Sequence, residues 1–412
     1  MKRLLAYFII PLLALGFVSC GGDDDVDESK KSPEYDYLVS IKKEKSVSKS
    51  EIVSQLVSAF PQFSSQAALI SNMLCDIEIA SITYNTENVD GKTVVASGLV
   101  VRPSGTVSYD HLLSVQHGTQ DLEDAPSVTL FDVQMAPVFS GQIVVMADYL
   151  GYGASMTTDR QHPYLHVKYT GTACADMIEA AREYLEEENI TETSDKVDLM
   201  GYSQGGQATV AALLEIERRG EKNRVGKVWA GGGPYDLEKI FSSYIESGTK
   251  EYSSSGYIPF LIRGMAYGEG LTLSDANIYA PEVISGGKTG IFTTKPLSKW
   301  SAALGSDVSK ILNPDFFVSP GHNGNKDVLS VIDAVSKNSL VNRSVKPQSK
   351  ICLYHSKTDE TVPYYCAESA VKVWPTATLT DLAMSSHGMG AAEFYLRYMG
   401  LWDLLSKFLQ NS

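Results

Sequence analysis

Short apolar runs alternating with amphipathic segments predict an α/β fold, a mostly parallel central sheet flanked by helices on both faces. Three observations carry that expectation. The first is a series of apolar runs at His111–Val115, Gln142–Ala147, Val197–Met200, Arg224–Ala230 and Lys350–Tyr354, with Thr376–Leu382 following. The second is the helical periodicity between them, plainest in Gln207–Arg219, which is rich in good helix formers and stops at Gly220. The third lies upstream. Ile77–Tyr84 and Lys92–Arg102 alternate in polarity around the turn Asn88-Val-Asp-Gly91, so an antiparallel hairpin should lead into the sheet.

The first residues read as a leader. Lys2 and Arg3 precede an apolar stretch from Leu4 to Val18, too short and wrongly flanked for a membrane span, so residues 1–19 are expected to be a signal peptide. The small residues around Cys20 resemble a bacterial lipobox, which implies cleavage before Cys20 and its lipidation; an ordinary secretory signal is the alternative. Residues 20–33 hold the acidic run Asp23-Asp-Asp-Val-Asp-Glu and almost nothing apolar, which describes a tether. Acidic residues directly after such a cysteine also resemble the surface-export signal of bacterial lipoproteins. The implied location is an outer membrane, with the soluble part facing the cell surface or the periplasm. Helical patterns at Lys49–Phe60 and Ser65–Leu74 then open the folded part.

Composition narrows the function classes. The chain has 412 residues, 43% of them hydrophobic, enough for one large core. A formal net charge of −14 and the lack of long basic runs argue against nucleic acid or anionic lipid as a partner. Cys75, Cys174, Cys352 and Cys366 have no spacing suggestive of zinc. An exported chain permits disulfides, with Cys352–Cys366 the favoured pair and buried free thiols the alternative.

Between Tyr235 and Gln348 the strand–helix rhythm breaks into Gly/Ser-rich stretches, aromatic patches such as Tyr257-Ile-Pro-Phe-Leu261, and amphipathic pieces at Leu271–Tyr279 and Val328–Lys337. That is too long for a plain loop. Residues 235–348 are therefore expected to form a cap inserted into a domain made of residues 34–234 and 349–412. A cap at the carboxyl edge of an open α/β sheet would sit where substrates of such sheets bind.

The segment that bears chemistry is Gly201-Tyr-Ser-Gln-Gly205, placed between an apolar strand and a helix. A serine in a turn this tight needs very small neighbours, which glycine at both outer positions provides. A serine hydroxyl attacks only when a base takes its proton, and a carboxylate must hold that base. Seven histidines are available. His387 lies in the polar stretch Ser385–Gly390, expected as a loop between the last strand and a closing helix at Ala391–Leu409. Asp359 follows the apolar run Ile351–Tyr354, with Glu360 and Asp381 as competing carboxylates. A helix-capping role for His387 and a turn or N-cap role for Asp359 are the structural alternatives.

These segments together resemble a lipase/esterase of the secretory-lipase type within the α/β-hydrolases, over most of residues 75–410. Further support comes from Ala147-Asp-Tyr-Leu-Gly-Tyr-Gly153, His162-Pro-Tyr-Leu165 and Gly232-Gly-Pro-Tyr-Asp-Leu237. The resemblance implies the α/β-hydrolase fold and the chain order Ser203…Asp359…His387 for nucleophile, acid and base. It implies an oxyanion hole from the backbone N–H groups of Gln204 and, in the loop Gln116-His-Gly-Thr-Gln120, of Thr119, with Gln120 the alternative second donor. His117, Asp148 and His162 are expected to brace loops without doing chemistry. The expected activity is hydrolysis of a carboxylic ester, from a lipid or an acylated glycan, with no cofactor and no metal. A serine peptidase of the prolyl-oligopeptidase type is the alternative enzyme. A surface lipoprotein that only binds glycans or lipids is the alternative of another class.

Overall fold

The computed structural model describes residues 35–403 and Ser406, except Phe60, Phe131 and residues 247–250. The expected signal peptide, the tether and Cys20 lie outside the described residues. Nine strands form one sheet: β1 (Leu38–Val47), β2 (Ile77–Glu87), β3 (Thr93–Pro103), β4 (Ser108–Gln116), β5 (Ile143–Ala147), β6 (Thr191–Tyr202), β7 (Val225–Gly231), β8 (Ile351–Ser356) and β9 (Ala377–Leu382). Their order is β1-β2-β3-β5-β4-β6-β7-β8-β9. The pairs from β1 through β3 to β5 are antiparallel, and every pair from β5 onward is parallel. The longer helices are α1 (Lys49–Ala59), α2 (Val167–Glu187), α3 (Gln204–Arg218), α4 (Leu237–Glu246), α5 (Tyr257–Gly268), α6 (Lys326–Asn338), α7 (Tyr365–Val373) and α8 (His387–Tyr398). None is long and apolar enough to cross a membrane among the described residues.

Sequence explains the two-sided core. Residues of the central strands alternate between two apolar clusters, with Leu112, Val145 and Leu199 on one face and Leu113, Val144 and Met200 on the other. All five residues of β5 are buried, as a strand covered on both faces requires. The hairpin between β2 and β3 forms as expected. Asn88 Oδ1 accepts the N–H groups of Asp90 and Lys92 at 3.0 and 2.9 Å, and Gly91 takes φ +73°.

The strand β1 was not anticipated. Its lysines Lys42, Lys43 and Lys45 give it the polar look of an edge strand, and it pairs with β2 through two register shifts. Glu183 of α2 fixes its start by accepting the N–H groups of Asp36, Tyr37 and Leu38 at 3.1, 3.0 and 2.5 Å. The second expected helix is shorter than Ser65–Leu74: a 3-10 turn at Pro61–Gln66 leads into Ala67–Asn72.

The four cysteines are free thiols, including the favoured pair Cys352 and Cys366. The pleat explains why. Cys352 packs with Trp229 and Tyr354 on one face of the sheet, whereas Cys366 of α7 joins Ile240 and Val362. Its helix neighbours Ala367 and Ala370 pack with Leu353 on the opposite face.

The chain from α4 to the 3-10 turn Leu340–Asn342 leaves after β7 and returns before β8, two strands that pair directly. Among its described residues the regular elements are α and 3-10 helices, with isolated bridges Glu251–Asp307 and Tyr279–Leu312, and its apolar residues Phe241, Ile258, Trp300 and Val331 belong to the same cluster as Leu199 and Val228 of the sheet.

Candidate active site

The site begins where β6 ends. Ser203 takes φ +62° and ψ −126°, between β6 and the first residue of α3. A β-carbon on Gly205 would overlap the carbonyl of Gln116, and one on Gly201 would overlap the carbonyl of Gly205. Only glycine fits either position, so the sequence reading of the flanking glycines holds for a steric reason. Backbone strain at a non-glycine residue of this kind costs roughly 1–3 kcal/mol and persists only if its surroundings hold it. Here the Ser203 N–H donates to Gly231 O of β7 at 2.9 Å, and Gly206 N–H donates to Ser203 O at 2.9 Å.

Helix α8 brings in the histidine. His387 is the first residue of that helix, whose N-cap Ser386 accepts the Met389 N–H at 3.2 Å through Oγ. The sequence had suggested a loop up to Gly390 and a helix from Ala391. Gly388 and Gly390 concealed the earlier start, since glycine is a poor helix former. Gly390 is tolerated because a β-carbon there would press on the Tyr202 hydroxyl.

Asp359, the expected acid, stands in the turn after β8. Asp359 Oδ1 accepts the N–H groups of Thr361 and Val362 at 2.9 and 2.8 Å, and Oδ2 lies 2.7 Å from His387 Nδ1. A carboxylate only accepts here, so Nδ1 carries the proton and Nε2 is left to accept. The Ser203 hydroxyl stands 2.8 Å from Nε2. The structure thus joins Ser203, His387 and Asp359 in one hydrogen-bonded series, with the Asp359 side chain fully buried and that of His387 15% exposed. The Tyr202 ring lies 5.2 Å from the imidazole.

Burial opposes ionisation of Asp359, but hydrogen bonds from His355, His387 and the Val362 N–H outweigh it. Its carboxyl is held well below the usual carboxylate range. The competing carboxylates stand elsewhere. Glu360 accepts the backbone N–H of His387 at 3.0 Å, and Asp381 pairs with Lys357 at 2.6 Å and with the Tyr364 hydroxyl. His355, fully buried, places Nε2 2.9 Å from Val362 O and 3.4 Å from Asp359 Oδ2. Nothing in the sequence singled out His355 except its place four residues before Asp359.

The loop after β4 passes beside the serine. A β-carbon on Gly118 would lie 3.9 Å from Ser203 Cβ. The Gly118 N–H is occupied by Gln134 Oε1 at 3.0 Å, an oxygen that also accepts the Tyr395 hydroxyl at 3.1 Å. No acceptor among the described residues takes the N–H of Thr119 or that of Gln204. Both ring nitrogens of buried His117 face carbonyls, Gly118 O at 2.8 Å and Asp148 O at 3.1 Å, and its ring stacks on Tyr149 at 4.1 Å. Asp148, fully buried, accepts from Ser97 Oγ at 2.6 Å, from Ser127 N at 2.9 Å and from the Ser127 hydroxyl. Gln134 and Ser127 carry no sequence signal of these roles.

A cavity of about 60 Å³ adjoins Ser203 and Gln204. Its wall combines Tyr164 and Leu165 from the body with Leu237, Phe241, Tyr252 and Tyr257 from the segment after β7. Among the described residues no group of His, Cys, Asp and Glu is arranged to hold a metal ion.

The strand order, with Ser203 at the β6–α3 turn and Asp359 and His387 after β8 and β9, is that of the α/β-hydrolase fold. Comparison with known proteins agrees. Residues 127–269 match the Secretory lipase family, in keeping with the secretory-lipase resemblance. An assigned hydrolase of Legionella pneumophila has 22% identity and a TM-score of 0.71 over 89% of this chain and 98% of its own. The rice cell wall degrading esterase LipA of Xanthomonas oryzae has 22% identity and a TM-score of 0.64 over 90% of this chain and 98% of its own. Candida antarctica lipase A has 18% identity and a TM-score of 0.55 over 84% and 77%. No curated protein matches the chain.

Proposed function

We propose that this chain is a serine carboxylic-ester hydrolase. The observation that carries the reading is the series from Ser203 Oγ through His387 to Asp359, at 2.8 and 2.7 Å, in a hydrolase fold whose family match is to lipases. His387 Nε2 takes the Ser203 proton as Oγ attacks the ester carbonyl. Asp359 holds the Nδ1 proton and stabilises the imidazolium. The free N–H groups of Gln204 and Thr119 receive the oxyanion of the tetrahedral intermediate. His387 then delivers its proton to the leaving alcohol, and a water molecule, deprotonated by the same nitrogen, attacks the acyl-enzyme and releases the acid. Residues 235–348 act as the cap over this site. Lipidation at Cys20 would hold the enzyme at the surface of an outer membrane after export.

The test is a series of p-nitrophenyl esters from acetate to palmitate beside dipeptide anilides. Ester cleavage that disappears in Ser203→Ala is expected; faster anilide cleavage would favour a peptidase, and undiminished activity in Ser203→Ala would remove the nucleophile. Asp359→Asn should lower kcat about 10⁴-fold. Glu360→Gln, which keeps an acceptor for the His387 N–H, should cost less than about tenfold. The reverse ranking would reassign the acid.

A further inference from the structure

The cavity beside Ser203 bears on which half of an ester it would hold. In an acyl-enzyme the acyl carbon is bonded to Ser203 Oγ, while the leaving alcohol must face His387 Nε2 to receive its proton. Ser203 and Gln204 line the cavity, and His387 does not. The alcohol therefore belongs on the side of Ser203 where the imidazole stands, 2.8 Å away, and the cavity is left for the acyl chain.

The wall restricts what that chain can be. Leu237, Phe241, Ile258 and Leu261 give it an apolar surface, and no charged side chain among the described residues lines it. Tyr164, also in the wall, has its hydroxyl on Thr119 Oγ1 at 2.8 Å. A charged chain would lose its water there and gain no partner. Size is the second restriction. At about 10–15 Å³ for each water-sized group, 60 Å³ admits roughly four to six non-hydrogen atoms. The wall resists widening as well. Its four aliphatic and phenyl side chains named above are buried in the cluster that also holds Leu199 and Val228 of the sheet, so a longer chain would have to displace close-packed core.

We infer that this cavity is the acyl pocket and that it limits the enzyme to esters of short, uncharged aliphatic acids, of up to about six carbons. This rests on the esterase reading, since the acyl group is placed by its bond to Ser203. The limit is set by the segment after β7, through Leu237, Phe241 and Tyr244 of α4 and Ile258 and Leu261 of α5.

The experiment measures kcat/KM for p-nitrophenyl esters of linear acids from acetate to dodecanoate, each below its micellar concentration. In wild type the value should peak at hexanoate or a shorter ester and fall at least about tenfold by decanoate. Monomethyl succinate, normalised to its rate of alkaline hydrolysis, should be cleaved at least about tenfold more slowly than methyl butyrate. Leu261→Ala and Tyr244→Ala each remove part of the wall and should carry the length limit to longer acids; Tyr244 is only half-buried, so its variant tests the wall even where Leu261→Ala fails to fold. Rates that hold up to dodecanoate in wild type overturn the inference, as does equal handling of the succinate or a limit unmoved in every variant that folds. A length limit in a series of acetates of linear alcohols, with none in the acyl series, also overturns it by giving the cavity to the alcohol. The esterase reading fails separately, by hydrolysis of none of these esters or by hydrolysis that persists in Ser203→Ala.

Discussion

Asp359 has two duties that its two oxygens divide. Oδ1 closes the turn through the Thr361 and Val362 N–H groups, and Oδ2 faces His387 and His355. Closing the turn and facing the His387 ring, alternatives when read from the sequence, are both done by one residue. Because the folded carboxyl is held below its ordinary range, its ionised form adds stability that is complete above about pH 4. That contribution is lost as pH falls from there toward the depressed folded value. The difference in Tm between wild type and Asp359→Asn should therefore be constant near neutrality and shrink below about pH 4, as measured by thermal unfolding across a pH series. A gap that grew on acidification would contradict the ionised assignment. The choice between Asp359 and Glu360 was open in the sequence because adjacent carboxylates share every local signal. What separates them is which group of His387 each one meets: Asp359 Oδ2 lies 2.7 Å from the ring Nδ1, whereas Glu360 takes the backbone N–H.

At the scale of elements, the turn from β6 to α3 was legible because its constraint is local. Two glycines, an apolar strand before them and a helical pattern after them fix the geometry without any distant contact. The start of α8 was not legible, because the tolerance for Gly388 and Gly390 depends on Tyr202 and on open space that only the packed structure reveals. Strand β1 was missed for a related reason: its lysines suit an edge, and only pairing with β2 makes it a strand. The glycines give a matched pair of expectations. Gly205→Ala drives a β-carbon into the Gln116 carbonyl, which cannot swing aside, and should cost about 3 kcal/mol or more. Gly388→Ala meets nothing within 4 Å inside a helix and should stay within about 1 kcal/mol of wild type. Urea unfolding of the two variants checks the contrast, and equal midpoints would refute it.

At the scale of the molecule, the apolar core does not stop at the border of residues 235–348. Leu237, Phe241, Ile258 and Trp300 share one cluster with Val197, Leu199 and Val228 of the sheet. A segment that buries its apolar side in the core of its host should not melt alone. Urea unfolding followed in two variants, one keeping only Trp300 and the other only Trp229, is expected to give coincident transitions. An earlier transition at Trp300 would mark the segment as a separately folding unit. The sequence showed that this segment departs from the strand–helix rhythm, but its helix boundaries were poorly legible. Short helices such as Pro281–Ser285 and Trp300–Leu304 are held by packing and are too brief to show a period.

Two backbone hydrogen bonds bear on how such a molecule can vary. Ser203 N–H reaches Gly231 O at 2.9 Å, and Gly232 N–H reaches Tyr354 O at 2.8 Å, so the ends of β6, β7 and β8 are stitched together before the chain departs at residue 235 and again after it returns. The spacing between the serine and the turn that bears Asp359 is therefore held by the ladder of β6, β7 and β8 itself, on both sides of the stretch that leaves between β7 and β8. Under the esterase reading proposed above, the chemical step would rest on that ladder and the choice of substrate on the segment between β7 and β8, which meets Ser203 at the wall of the cavity.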